Sequence, residues 1–242
     1  MKAIVINAAP RMEAGNTQMI LTPFLVGMRH EGAKIDIALL ARKEINRCEG
    51  CFTCYAATPG SCIHHDDMEA LIDRIRGVDT MILATPVYLD GMTSLAKIFV
   101  DRLVAFMDPH FVADKVGVRH PLRWKFPEKL FLVSVCGYPG LHNFDPLLLH
   151  MKAIAKNLHT EFCGALLRPG VYSLLLKKKY PDRIREVMDA IRGAGEELVR
   201  HGRVSAGTFD AVASDICSDR ELIDTANAYW DRELEKSADQ PA

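Results

Sequence analysis

Five short apolar runs are spaced along the chain: KAIVIN (2–7), KIDIALL (34–40), DTMILATPV (79–87), KLFLVSVCG (129–137) and TEFCGALLRPG (160–170). Their length and apolar character read as strands. Between them, apolar residues recur with helical spacing over 17–31, 66–76, 92–107, 144–158 and 181–201. Strand and helix therefore alternate through the first two hundred residues, the pattern of an open parallel sheet with helices on both faces. The expected fold class is α/β, a doubly wound five-stranded parallel sheet in the order 2-1-3-4-5.

Two segments depart from the alternation. Residues 108–128, DPHFVADKVGVRHPLRWKFPE, carry prolines, four basic side chains, two histidines and a tryptophan without sustained periodicity, and read as a lid-like loop across the sheet ends. The extension 202–242 predicts one helix over 219–235, capped by Ser218 or Asp219. With no repeat and no low-complexity linker, residues 1–242 read as one domain.

Composition narrows the function. About half the residues are hydrophobic, enough for a full core, and 30 basic against 31 acidic residues leave a formal charge of −1. Nothing in that balance selects nucleic acid or an anionic membrane. No apolar run approaches the roughly 18 residues of a membrane span, and MKAIVINAAP is too short for a secretion signal, so a cytoplasmic protein is expected. In a reducing compartment cysteines more often bind metal or do redox chemistry than form disulfides. Four of the seven lie in RCEGCFTCYAATPGSC, from Arg47 to Cys62. Cys136, Cys163 and Cys217 are scattered, and buried small hydrophobes is their simplest reading.

The loops that follow the strands hold the other candidates. In a doubly wound sheet, ligands bind at the carboxyl ends of the strands. The loop NAAPRMEAGNTQ, 7–18, leads from the first strand into a helix that Asn16 or Thr17 would cap, with Arg11 as a nearby cation. It suits a phosphate at a helix N-terminus, or is an ordinary turn, and it is neither a Walker loop nor a Gly-x-Gly-x-x-Gly dinucleotide motif. The third strand runs into ATPVYLDGMTSLAKIFVDR, 84–102, whose free main chain and exposed Tyr88 suit a flat heterocycle.

Taken together, the Gly-Asn-Thr loop, TPVY, GMTSLAKIFVDR and the cysteine block followed by HHDDM resemble the flavodoxin-like NAD(P)H-dependent FMN reductases, and most of all the iron–sulfur flavoproteins. SVCGYPGLHNF and TANAYW extend the resemblance over the chain. It implies a flavodoxin-like fold and FMN at the carboxyl edge. The phosphate would lie against Pro10, Arg11, Asn16 and Thr17, and the ring against Pro86, Val87, Tyr88, Gly91, Met92, Cys136, Gly137 and Tyr138. Ala8-Ala9 stand where the family has Gly-Ser, removing a hydroxyl that would cost on the order of 1.5–3 kcal/mol of phosphate binding if nothing replaced it.

The spacing Cys48-x2-Cys51-x2-Cys54-x7-Cys62 resembles the family's [4Fe–4S] motif, and a close triplet with a fourth thiol returning after Pro59-Gly60 could surround a cubane. A zinc site, which usually takes two separated pairs, a Cys-x-x-Cys dithiol and an empty scaffold are the alternatives. His64 and His65 could replace a thiolate, although Asp66 and Asp67 mark a helix start there. His120 and Trp124 are the candidates for gripping substrate, and Arg11, Arg119 or Arg123 for a nucleotide 2′-phosphate.

The expected activity is an FMN-dependent oxidoreductase taking electrons from NAD(P)H or another donor and passing them to a small acceptor such as a quinone, flavin or oxygen species, directly or through a [4Fe–4S] cluster. No side chain need act as acid or base in it, because the flavin carries the chemistry. The resemblance also implies a homodimer or homotetramer and allows a ferredoxin-type redox partner. The competing readings are a flavodoxin-like electron carrier and a non-redox zinc-binding regulator.

Overall fold

The structure is a computed structural model that describes residues 1–114 and 117–238. Strands β1 (Lys2–Asn7), β2 (Lys34–Leu39), β3 (Thr80–Ala84), β6 (Lys129–Val135) and β7 (Glu161–Arg168) form one parallel sheet, ordered β2-β1-β3-β6-β7. Counting only the strands of this sheet, the order is 2-1-3-4-5, as the alternation predicts. The short strands β4 (Val112–Asp114) and β5 (Gly117–Arg119) pair separately as an antiparallel hairpin.

The burial of each strand follows its place. β1 and β3 lie inside the sheet, and five residues of each are fully covered, because helices bury both faces of a parallel sheet. β2 is the edge, and Ala38 is its one buried residue. One face is covered by α2 (Asp67–Arg76), α3 (Ser94–Arg102) and α4 (Asp145–Asn157), through Leu71, Phe99 and Met151 among others. The other is covered by α1 (Asn16–His30) and α5 (Pro181–His201), with Val212 of α6 (Ala206–Ala213) beside them. Here α1 and α5 cross backbone to backbone, since a Cβ on Gly195 would stand 2.1 Å from the Phe24 carbonyl oxygen. The last helix, α7, runs from Asp219 to Ala238.

Three expectations need adjusting. The extension 202–242, expected to carry one helix, carries two, α6 as well as α7, among its described residues. The helix predicted over 92–107 starts at Ser94, capped by the Thr93 hydroxyl, and stops at Arg102. The chain then tightens into a 3₁₀ turn, Leu103–Phe106, whose three-residue period keeps Leu103 and Phe106 both in the core. Residues 108–128, expected as a lid-like loop, contain the β4–β5 hairpin, with 115 and 116 outside the described residues. Asp108 N bonds to the Pro121 carbonyl and Arg123 N to that of Phe106, so the segment folds back on its own base. Among the described residues, no helix is long and apolar enough to cross a membrane.

Candidate functional site

All the sheet strands end on the same edge, and a first cavity opens there. The first, about 350 Å³, is lined by Ala9, Pro10, Arg11, Gly15, Asn16, Thr17, Pro86, Val87, Tyr88, Val135, Gly137, Val171, Tyr172 and Trp230. Its floor comes from the turn after β1. Asn7 Oδ1 accepts the Ala9 N–H at 3.0 Å, and the buried Thr93 hydroxyl donates to the Ala8 carbonyl at 2.8 Å. The cap expected from Asn16 or Thr17 is not made: Gly15 holds the N-cap position, and no side chain caps the helix. Asn16 is already helical and Thr17 is buried, so neither is placed to reach back. The first N–H groups of a 15-residue helix thus face a cavity rimmed by Arg11, the arrangement that binds phosphates.

The wall comes from the turn after β3. Val87 N bonds to the Val135 carbonyl, continuing the ladder to β6. Tyr88 and Gly91 then exchange two backbone bonds of 2.9 and 3.1 Å around Leu89 and Asp90, both with positive φ. That tight turn leaves the Tyr88 ring half exposed over the opening. Opposite, the Tyr172 ring lies so close to Gly137 that a Cβ there would be 3.1 Å from it, which excludes a larger residue without displacement.

Of the twelve flavin residues implied by the resemblance, Pro10, Arg11, Asn16, Thr17, Pro86, Val87, Tyr88 and Gly137 meet in this cavity. Gly91, Met92, Cys136 and Tyr138 do not line it. Gly91 closes the turn behind Tyr88, Met92 packs on the core, and Cys136 is buried within it, burial pushing its thiol pKa up. Tyr138 is exposed, and its carbonyl accepts the Gly170 N–H. Sequence reasoning missed Val171, Tyr172 and Trp230. The Tyr172–Tyr229 and Tyr229–Trp230 ring contacts, 5.7 and 5.3 Å between centroids, dock α7 against the cavity. The aromatic YW pair in the tail was the available signal.

Among the described residues, none of 108–128 lines that cavity. Trp124 lies instead beneath the cysteine loop, its ring edge where a side chain on Gly60 would be, with the Arg76 guanidinium 4.6 Å from its centroid. His120 makes tilted ring contacts with Tyr55 and Phe111. Arg123 bonds to the Met107 and Tyr55 carbonyls and pairs with Asp108, so it is committed to the loop, and Arg119 bonds to its neighbour's carbonyl at Val118. Among the three arginines considered for a nucleotide phosphate, Arg11 alone borders the first cavity.

The second cavity, about 510 Å³, opens between the cysteine loop, α3 and α4. Cys48, Cys51, Cys54 and Cys62 all line it, together with Arg102 and an apolar wall that includes Leu103, Val104 and Ile154. Positive φ at Gly50 and Phe52 turns the chain between the first three cysteines, and Gly60 N closes the return by bonding to the Cys54 carbonyl. Burial first, and then the charges of Cys62, Cys48 and Cys51, push the Cys54 pKa up, whereas hydrogen bonds from Thr53 pull that of Cys51 down. Among the described residues no three of these sulfurs lie within 4.8 Å of one another. Tetrahedral zinc, with Zn–S near 2.3 Å, would need them about 3.8 Å apart. His64 and His65 line a neighbouring cavity, and His64 Nε2 stands 3.4 Å from Glu49 Oε1.

The ends of the cysteine loop are tied at one point. Asp66 caps α2 through Met68 N and accepts from both Asn46 N and Asn46 Nδ2. Arg102 donates to both Asp66 oxygens at 2.7 and 3.1 Å and to the Asn46 carbonyl at 2.8 Å. Burial would raise the Asp66 pKa, but Arg102 and these N–H donors outweigh it and hold it at about 2.

With this geometry in view, comparison with known proteins defines the class. The family described as NADPH-dependent FMN reductase matches residues 1–139, more than half of the chain, and the chain belongs to that family. Within it, the chain is similar to proteins named iron–sulfur flavoprotein. One from Archaeoglobus fulgidus is 32% identical over 139 residues, 57% of each chain. One from Clostridioides difficile strain 630 is 31% identical over 187 residues, 76% of this chain and 74% of that one. The match covers less than two thirds of the length of the first three archaeal relatives. Among solved structures, an FMN-dependent NADH-azoreductase from Bacillus anthracis in complex with FMN superposes with a TM-score of 0.60 at 13% identity, covering 82% of this chain and 99% of that one. An NAD(P)H:quinone oxidoreductase from Methanothermobacter marburgensis gives 0.58 at 14% identity, covering 83% and 97%. At such identities these two establish the shared flavodoxin-like fold alone.

Proposed function

We propose that the chain is an FMN-dependent oxidoreductase that takes electrons from NAD(P)H at the first cavity and passes them to a small acceptor, with a [4Fe–4S] cluster held by Cys48, Cys51, Cys54 and Cys62. The observation that carries the reading is an uncapped helix N-terminus beside a cavity at the carboxyl edge of the sheet, together with four cysteines around a second cavity against α3 and α4. The bound flavin would supply exchange between hydride and single electrons. The chain's own part is to bind, orient and exclude water. The N–H groups of α1 and Arg11 neutralise the phosphate. The expected free main chain of Pro86–Tyr88 is reduced to its carbonyl oxygens, since the Val87 and Tyr88 N–H groups are already bonded, and these carbonyls position the heterocycle edge. Tyr172 and Trp230 cover the mouth on one side and leave the Tyr88 side for the nicotinamide. The acceptor belongs to the class of quinones, free flavins or oxygen species. A homodimer or homotetramer is part of the proposal.

The test is purification without oxygen, an absorbance spectrum, iron and acid-labile sulfide on the same sample, and NADPH or NADH consumption with a quinone added. Flavin bands, about four irons per chain and quinone-dependent consumption are expected. Flavin without iron would remove the cluster and keep the reductase. Flavin without pyridine-nucleotide consumption would leave a carrier, and a colourless protein would overturn the reading.

A further inference from the structure

The end of α3 brings a buried positive charge to the cysteine loop. The Arg102 side chain is 2% exposed and lines the same cavity as all four cysteines, whereas Asp66 does not line it. Burying a guanidinium is costly unless its charge is matched. Asp66 matches it, but that carboxylate already receives three N–H bonds, from Asn46 N, Asn46 Nδ2 and Met68 N. A neutral donor at position 102 could complete the tie between the loop ends. What it could not do is hold a cation against a cavity rimmed by thiols. Burial disfavours the charge on Arg102; Asp66, and then Cys62 and Cys48, favour it, and the net displacement of its pKa is upward.

We propose that Arg102 and Asp66 act as opposed electrostatic controls on the reduction potential of the cluster held by Cys48, Cys51, Cys54 and Cys62. The inference rests on the four cysteines holding an iron–sulfur cluster. One-electron reduction adds one negative charge at the cavity, which the guanidinium stabilises and the carboxylate opposes. Because Arg102 borders the cavity and Asp66 stands behind it, the positive charge dominates. Both residues are positioning residues for the electron transfer, acting through charge as well as through the clasp.

The experiment compares wild type, Arg102→Gln, Arg102→Lys and Asp66→Asn, all purified without oxygen, by iron content and by a redox titration followed by electron paramagnetic resonance. Arg102→Gln should lower the ratio of reduced to oxidised cluster at a fixed potential by about tenfold, equivalent to about 59 mV for a one-electron couple. Asp66→Asn should raise that ratio by a smaller factor, about threefold. Arg102→Lys keeps the charge but loses the two-pronged bond, so iron content should fall while the potential of the retained cluster stays within about threefold of wild type in this ratio. A purely mechanical clasp would reduce iron content in all three variants and leave the potential of retained clusters unmoved, which overturns the proposal. Shifts of the same sign in Arg102→Gln and Asp66→Asn also overturn it. If Arg102→Gln retains no iron, Asp66→Asn decides: an upward shift supports the proposal and an unchanged potential overturns it. Wild type without iron or sulfide removes the underlying reading, whereas iron-replete variants with unshifted potentials remove only this one.

Discussion

The Thr93 hydroxyl serves two backbones at once, donating to the Ala8 carbonyl and accepting from Ala96 N, while Thr93 N is received by the Thr85 hydroxyl. It therefore locks the turn after β1 to the start of α3. Thr93→Ala should cost about 2 kcal/mol in urea unfolding, from a lost cap and an unpaired buried carbonyl, while Thr93→Ser keeps most of it. Asp66 gives a pH signature. Its pKa in the fold, about 2, lies below the ordinary 3.8, so its stabilisation of about 2 kcal/mol is complete above about pH 4 and lost as pH falls through 2. Urea midpoints between pH 5 and pH 2 should therefore fall less steeply for Asp66→Asn than for wild type. At this scale Arg11, Asn16, Thr17 and Pro86 to Tyr88 were legible because a doubly wound sheet sends every strand exit to one edge. Cys136 and Tyr138 were harder to place, because neighbours on a strand exit alternate between core and solvent, and Val135 and Gly137 take the cavity side between them.

Among the elements, α7 is the one whose role local pattern did not disclose. Its apolar residues predicted a helix, but its docking on Tyr172 joins positions that lie far apart in the chain, and no periodicity reports such a contact. The hairpin in 108–128 was missed for a related reason. It comprises two strands of three residues each, too short for alternation to register, and Trp124, which follows it, is used under Gly60 and not over the first cavity. Helices α1 to α5, by contrast, were legible, since each lays an apolar stripe on the sheet. The position of α7 is open to measurement because the chain has two tryptophans, Trp124 and Trp230. In flavin-free Trp124→Phe protein, adding FMN should quench the remaining fluorescence. Trp230→Ala should bind FMN more weakly, by up to about tenfold, the worth of one aromatic contact.

Seen as a whole, the molecule keeps its two cavities apart: among the described residues they share no lining side chain. One gathers the exits of β1, β3 and β6 with α7, and the other lies between α3, α4 and the segment after β2. That segment leaves the body at Asn46 and re-enters at Asp66, and these two residues are hydrogen-bonded to each other. An excursion whose ends already touch closes at little further entropic cost. Joining Asn46 to Asp66 by a short glycine-serine linker should thus leave FMN affinity within about threefold of wild type, measured by equilibrium fluorescence, while abolishing iron binding. Such a loop is a cassette. Its ends converge on Asn46, Asp66 and Arg102, so the cysteines that surround the second cavity are built as an attachment to the sheet that carries the first.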